Sequence, residues 1–316
     1  MNIIRRQEMT IYLSLLSVVF LWGTSFAVSK IGLHVLSPLN LAGLRFLTAS
    51  VIFGLILSFQ KVNQKIERQD ILQLIVMGFM SITSYFYIQY TGLLYTTSIN
   101  ASLLLATSPL WTTVLGVIMR QEQIKLKAIS GMLLAFFGVT LVISKGNPVT
   151  LFTSKTLYGD LLLLSNAGVW AIYTLYGKRI MLKYSPFTAV AYIHIFGTFM
   201  LLPIILIPNP LNPVTLLEQG SALTLPTMLA VLYLAVLCSV YAYYMWFQGI
   251  AQIGAIRTAS FYYISPLFAL MAGIWLLNET MTPLMLLGGC MVITGVFLTN
   301  KFKHSIEQHR NIHLDN

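Results

Sequence analysis

A chain of 316 residues is long enough for two soluble domains, but 57% of it is hydrophobic, only 9% is charged, and its mean hydropathy is +0.79. A water-exposed surface does not tolerate that balance, so lipid is the expected solvent for most of the chain. The formal net charge of +10 is spread over many short connections, which excludes the single basic stripe or arm of a nucleic-acid binder.

A helix needs roughly 20 apolar residues to cross a hydrocarbon core of about 30 Å. Ten segments approach that length, at about 10–30, 38–59, 70–94, 97–119, 127–144, 157–178, 186–208, 225–249, 255–277 and 283–300. The sequence therefore predicts an all-α membrane protein of ten transmembrane helices. The first segment follows Arg5 and Arg6, yet it is too long for a signal-peptide core, holds Trp22 and Lys30, and lacks a small-residue cleavage site. No acidic residue falls near a segment centre, and Asp70 and Asp160 stand at segment ends.

Lys and Arg concentrate in cytoplasmic connections. Arg5, Arg6, Lys61, Lys65, Arg68, Arg120, Lys125, Lys127, Lys178, Arg179, Lys183, Arg257, Lys301, Lys303 and Arg310 fall on one side of a ten-span arrangement, and only Lys30, Lys145 and Lys155 on the other. Arg45 lies inside a span. This predicts a multi-pass protein of a bacterial inner membrane with both termini cytoplasmic.

The chain repeats itself. At an offset of 157, Gly92, Pro109, Gly116, Glu122, Gly131 and Gly138 match Gly249, Pro266, Gly273, Glu279, Gly288 and Gly295. Earlier in each half the offset is 148 and pairs Trp22 with Trp170, Lys30 with Lys178 and Pro38 with Pro186. Halves of five spans each must insert with opposite orientation, which is the inverted-repeat plan of many secondary transporters. The expected domains are 10–144 and 157–300, followed by a cytoplasmic tail at 301–316.

The residues Trp22-Gly23-Thr24-Ser25-Phe26, Pro38, Leu44-Arg45-Phe46, the run from Gly92 to Ala101, Pro109-Leu110-Trp111, and Glu122 ahead of Gly131 and Gly138 resemble the EamA domain. Two copies in ten helices resemble the drug/metabolite transporter superfamily. The second copy departs from the first at Arg45, where Ile193 stands. The resemblance implies export of amino acids or other small metabolites.

Candidate site residues follow from depth and spacing. Trp22, Trp111 and Trp170 lie near span centres, where an indole N–H needs a partner or a cavity, whereas Trp246 and Trp275 fall near span ends, as interface anchors do. Asn166, Trp170 and Tyr173 share one helix face and would contact substrate, or else bond neighbouring helices. Arg45 needs carbonyls, water or an anionic group. Tyr90, Asn100 and Tyr262 complete the expected substrate-binding set. Pro109 and Pro266 deprive Leu105 and Tyr262 of their helical carbonyl partners and mark candidate gating breaks, unless a neighbouring Ser repairs them. Gly131, Gly138, Gly288 and Gly295 read as close helix packing.

Neither HExxH nor GxSxG is present, no Walker motif occurs, and Cys238 and Cys290 have no metal spacing. The expectation is therefore a non-enzyme without metal or cofactor that takes a small-molecule substrate. A secondary transporter fits best, with a channel or a membrane-embedded assembly or sensor component as the alternative. Lacking a midplane carboxylate, it would work by facilitated diffusion or by coupling through His194 or the substrate itself.

Overall fold

The computed structural model describes residues 3–59, 65–119, 122–124, 126–144, 156–253, 258 and 261–305. Ten principal helices follow one another: α1 (Ile3–Leu33), α2 (Pro38–Phe59), α3 (Arg68–Tyr95), α4 (Ser98–Ile118), α5 (Leu126–Ser144), α6 (Leu157–Lys183), α7 (Pro186–Leu206), α8 (Leu225–Ile253), α9 (Tyr262–Leu277) and α10 (Pro283–Phe302). A short helix, Leu216–Gly220, interrupts the connection between α7 and α8. Seven of the ten, α1–α5, α7 and α8, are both long and apolar enough to cross a membrane. α9 and α10 are apolar but shorter, and α6 spans 27 residues with charge toward both ends. Among the described residues the strands are a three-residue antiparallel pair of β1 (Glu122–Ile124) and β2 (Lys303–Ser305), where the sequence suggested a loop and a tail.

Helix starts are set by the chain's own chemistry. Pro38, Pro186 and Pro283 occupy first turns, where a missing N–H costs nothing, and the side chains of Thr97, Ser185 and Thr224 accept hydrogen bonds from Asn100, Thr188 and Thr227 N–H groups. α4 breaks at Ala106–Thr107, just ahead of Pro109. The carbonyl of Leu105 is not left bare, because Ser108 Oγ donates to it, and Ser265 N–H donates to the Tyr262 carbonyl in the 3₁₀ turn before Pro266. Both breaks are thus repaired locally.

Two further irregularities were invisible in the hydropathy. α3 contains a π-helical stretch at Phe79–Ser84, and α8 one at Tyr233–Tyr241. At the offset of 157 the first maps onto 236–241, within the second. Both copies therefore carry the same wide turn, of the kind that recurs at functional sites.

Equivalent helices meet in antiparallel pairs. Between α2 and α7, Gly43 faces Ile205, Ser50 and Thr198 hydroxyls lie 2.8 Å apart, and the Phe53 and Phe187 rings are 5.6 Å apart. Ser50 and Thr198 are repeat partners, so an internal two-fold axis passes between them, across the helix direction. The α5–α10 pair obeys the same rule: Gly131 abuts Gly295 and Thr299, and Gly138 abuts Gly288 and Val292. Likewise α1 packs on α9 as its partner α6 packs on α4.

Buried carboxylates tie α3 to α6 at both ends. Asp70, 1% exposed, accepts from Lys183 Nζ and Tyr184 OH, each at 2.6 Å. Asp160, fully buried, accepts from Thr96 Oγ1 and, at 3.3 Å, from Asn100 Nδ2. Outside the spans, the hydrogen bond from Lys183 holds the Glu67 carboxyl below the usual carboxylate range.

A methyl at Gly138 would stand 2.6 Å from the Gly288 carbonyl oxygen, so any larger side chain must force the α5–α10 seam apart. Gly138→Leu is expected to destabilise the detergent-solubilised protein by about 1–3 kcal/mol. Thermal unfolding checks this, with Gly54→Leu, where open space surrounds the backbone, as the unchanged control.

Candidate substrate site

Where the two halves meet, aromatic rings form one continuous array. Trp22 of α1 lies 5.5 Å from Tyr243, 5.0 Å from Trp246 and 6.2 Å from Tyr262, centroid to centroid. Tyr243 continues to Trp170 at 6.5 Å and to His194 at 4.9 Å. Trp170 stacks with Tyr85 at 5.4 Å and Tyr173 at 5.3 Å, and Tyr85 leads through Phe86 to Tyr90. Helices α1, α2, α3, α6, α7, α8 and α9 all contribute.

The wide turns explain why the rings converge. Tyr85 and Phe86 directly follow the π-helical stretch of α3, and Ala242 and Tyr243 follow that of α8. Phe86 and Tyr243 are repeat partners at offset 157. The Trp22 indole N–H donates 3.1 Å to the carbonyl of Cys238, inside the second wide turn, where the helical hydrogen-bond ladder is relaxed. A midspan indole thereby gains the partner it needs without water.

Arg45 is 2% exposed. Its Nε donates to Ser239 Oγ at 2.8 Å and its Nη1 to Tyr90 OH at 2.9 Å, while the guanidinium carbon packs 4.5 Å from the Phe86 ring centre and 5.0 Å from that of Phe46. Among the described residues no carboxylate pairs with it. His194, 1% exposed, shares Nδ1 with the Val190 carbonyl at 2.8 Å and stands among Phe46, Phe53 and Tyr243, with Nε2 unpartnered.

Of the residues expected from sequence, Trp22, Arg45, Tyr90, Trp170, Tyr173 and Tyr262 come together in this array. Asn100 does not: it stands two residues into α4, bonded toward Thr96 and Asp160, where it helps pin a helix end. Trp111 packs over Gly168 of α6, as its repeat partner Phe268 packs on Phe20 of α1, which is helix-to-helix packing. Asn166 is fully buried, and neither end of its amide finds a protein partner. Trp246, expected at the membrane interface, is instead a wall of the array, whereas Trp275 is 77% exposed, as an anchor should be. Tyr85 and Phe86 were missed, although the repeat offset pairs Phe86 with Tyr243.

At one end of the bundle, Glu279 accepts from Ser98 N–H at 2.8 Å, Ile99 N–H at 3.2 Å and Ser98 Oγ at 2.8 Å, and Lys30 Nζ approaches it at 3.3 Å. The carboxylate sits on the N-terminus of α4, where the helix dipole favours negative charge. Outside this contact lies a cavity of about 370 Å³ bordered by Lys30, His34, Leu94 and Leu277. α1 also packs against Tyr85–Tyr95 of α3, whose Leu93 and Leu94 line the same cavity.

A helical, apolar chain of two antiparallel repeats with an aromatic array at their junction has the plan of a multi-pass membrane transporter. The family model for the EamA-like transporter family matches residues 9–144 and again 157–301, so the chain belongs to that family. Over 293 residues it is 34% identical to a protein of Archaeoglobus fulgidus named an uncharacterized transporter, covering 93% of this chain and 98% of the relative. It is 28% identical to a probable amino-acid metabolite efflux pump of Escherichia coli, covering 90% and 92% of the two chains. One solved structure superposes with a TM-score of 0.62 at 16% identity, over 92% of this chain and 97% of that one, which is a likeness of fold.

Indoles with centroids 5.0 Å apart couple excitonically, so Trp22→Phe and Trp246→Phe should each abolish the same near-ultraviolet circular dichroism feature. Trp275→Phe should leave it intact.

Proposed function

We propose that the protein is a secondary transporter that exports amino acids or related small metabolites across a bacterial inner membrane, by alternating access between its two inverted repeats. Ten spans, with both termini cytoplasmic, fit the antiparallel pairing of α2 with α7 and α5 with α10, because helices five apart in order run oppositely when every one crosses. The two repeats are taken as 10–144 and 157–300, with 301–316 as a cytoplasmic tail. Trp22, Arg45, Tyr85, Tyr90, Trp170, Tyr173, Tyr243, Trp246 and Tyr262 form the substrate chamber, with Asn166 as a nearby unsatisfied amide on the Trp170 face. An aromatic wall carrying a few polar groups suits a small amphipathic solute.

The observation that carries this reading is the aromatic array at the repeat junction, to which both halves contribute. Glu279 and Lys30 latch the start of α4 to the second half at one end, and Asp70 with Lys183 and Tyr184 joins the halves at the other; contacts of this kind are what an alternating-access cycle breaks in turn. Without a carboxylate at the midplane, net flux follows the substrate gradient, or protons couple to it through His194 or the substrate.

Transport by the purified protein in proteoliposomes tests the function, using counterflow against a panel of amino acids and metabolites. Trp170→Ala is expected to lower the rate several-fold while its level in the membrane stays normal. Normal transport by Trp170→Ala would remove the chamber from the pathway.

Glu279→Gln weakens a charge-assisted cap of about 1–2 kcal/mol and should raise the outward-open population several-fold to tenfold. Labelling of Leu33→Cys in a Cys290→Ser background by an external impermeant maleimide measures this. An unchanged labelling rate would mean that the cap does not hold the outer side shut.

A further inference from the structure

We propose that Arg45 is the receptor for a carboxylate on the transported solute, which makes the substrate an organic acid or zwitterion with an apolar body. This rests on the chamber reading above and adds the substrate's chemical class to it.

A guanidinium offers five N–H donors in a planar fork. Here Nε and Nη1 are spent on two neutral hydroxyls, Ser239 Oγ and Tyr90 OH, and Nη2 has no acceptor among the described residues. The Phe86 and Phe46 rings pack against the group and stabilise a cation without neutralising it. A buried cation held only by neutral partners is costly, and burial normally pairs it with an anion. The carboxylates near the bundle are committed elsewhere: Asp70 to Lys183 and Tyr184, Glu67 to Lys183, Asp160 to Thr96 and Asn100, Glu279 to α4 and Lys30, and Glu218 to the Thr215 cap.

Position favours the same conclusion. The Phe86 ring that the guanidinium packs on is 5.0 Å from Tyr85, which lies 5.4 Å from Trp170 in the ring array. A carboxylate at Nη2 would therefore place the rest of the molecule along the aromatic wall. Ser239 belongs to the wide turn of α8 and Tyr90 to α3, so the cation is aimed by one element from each half. The second copy carries Ile193 at the position of Arg45, giving one anion site, not two.

The test uses the full chain in lipid nanodiscs with three probes of one shape: phenylacetate, phenylalanine and phenylalaninamide. Both carboxylates are expected to raise the melting temperature of the wild type and to bind at millimolar concentration, the amide at least tenfold more weakly. Arg45→Gln should lose carboxylate binding by tenfold or more, while Arg45→Lys retains part of it. Equal binding of the amide by the wild type, or no stabilisation by either carboxylate, overturns the inference without reference to any variant that fails to fold. Carboxylate binding unchanged in a folded Arg45→Gln but lost in Trp170→Ala would overturn the role of Arg45 and keep the chamber. Binding that survives both substitutions would overturn the chamber as well.

Discussion

In hydrocarbon a backbone carbonyl or N–H has no water to bond, so each interruption of a helix must find its partner inside the protein. That constraint accounts for the details on which the structure turns. Ser108 covers the Leu105 carbonyl ahead of Pro109, Ser265 N–H covers that of Tyr262, and the Trp22 indole meets Cys238 in the wide turn of α8. At the start of α4, orphan N–H groups are met by Glu279, a residue from the other half of the chain. Irregular backbone is answered within the same helix at both prolines and by the other half of the chain at the wide turn of α8 and the start of α4.

The second determinant is how closely backbones approach. Glycines at the α5–α10 seam, and Gly78 against Gly197 between α3 and α7, let helices meet with almost no side chain between them. Such seams frame the ring array. The array is built differently, from large rings held mostly by edge contacts, with Trp22 and Arg45 fixed by hydrogen bonds to Cys238, Ser239 and Tyr90. The polar latch at Glu279 stands apart from both, at the periphery.

Much of this was legible in the sequence because two signals are one-dimensional. Apolar length marked the helices, and matched Gly, Pro and Glu spacings revealed the repeat together with the opposite insertion that the antiparallel pairs of α2 with α7 and α5 with α10 express. What escaped notice depends on distances between helices. Trp246 looked like an interface anchor because its place in the span is near an end, yet its ring packs 5.0 Å from Trp22. Asn100 looked like a midspan amide until the structure put it at the start of α4 beside Asp160. Trp111 shares the depth of Trp22 and Trp170 but faces Gly168. Depth can be read from sequence position; the direction in which a side chain faces a neighbour cannot.

The account's central claim is that one chamber is opened to either side in turn by two equivalent movements. Repeat-partner positions allow a direct measurement: spin labels at Val28 and Tyr95 report the latched end, and labels at their partners Tyr176 and Gln252 report the opposite end. Pulsed electron–electron double resonance on the two pairs, in a Cys290→Ser background and with and without a transported solute, gives both distances. The account predicts opposite shifts, one distance lengthening as the other shortens. Two distances that lengthen together would describe a channel, and two that never change would contradict alternating access.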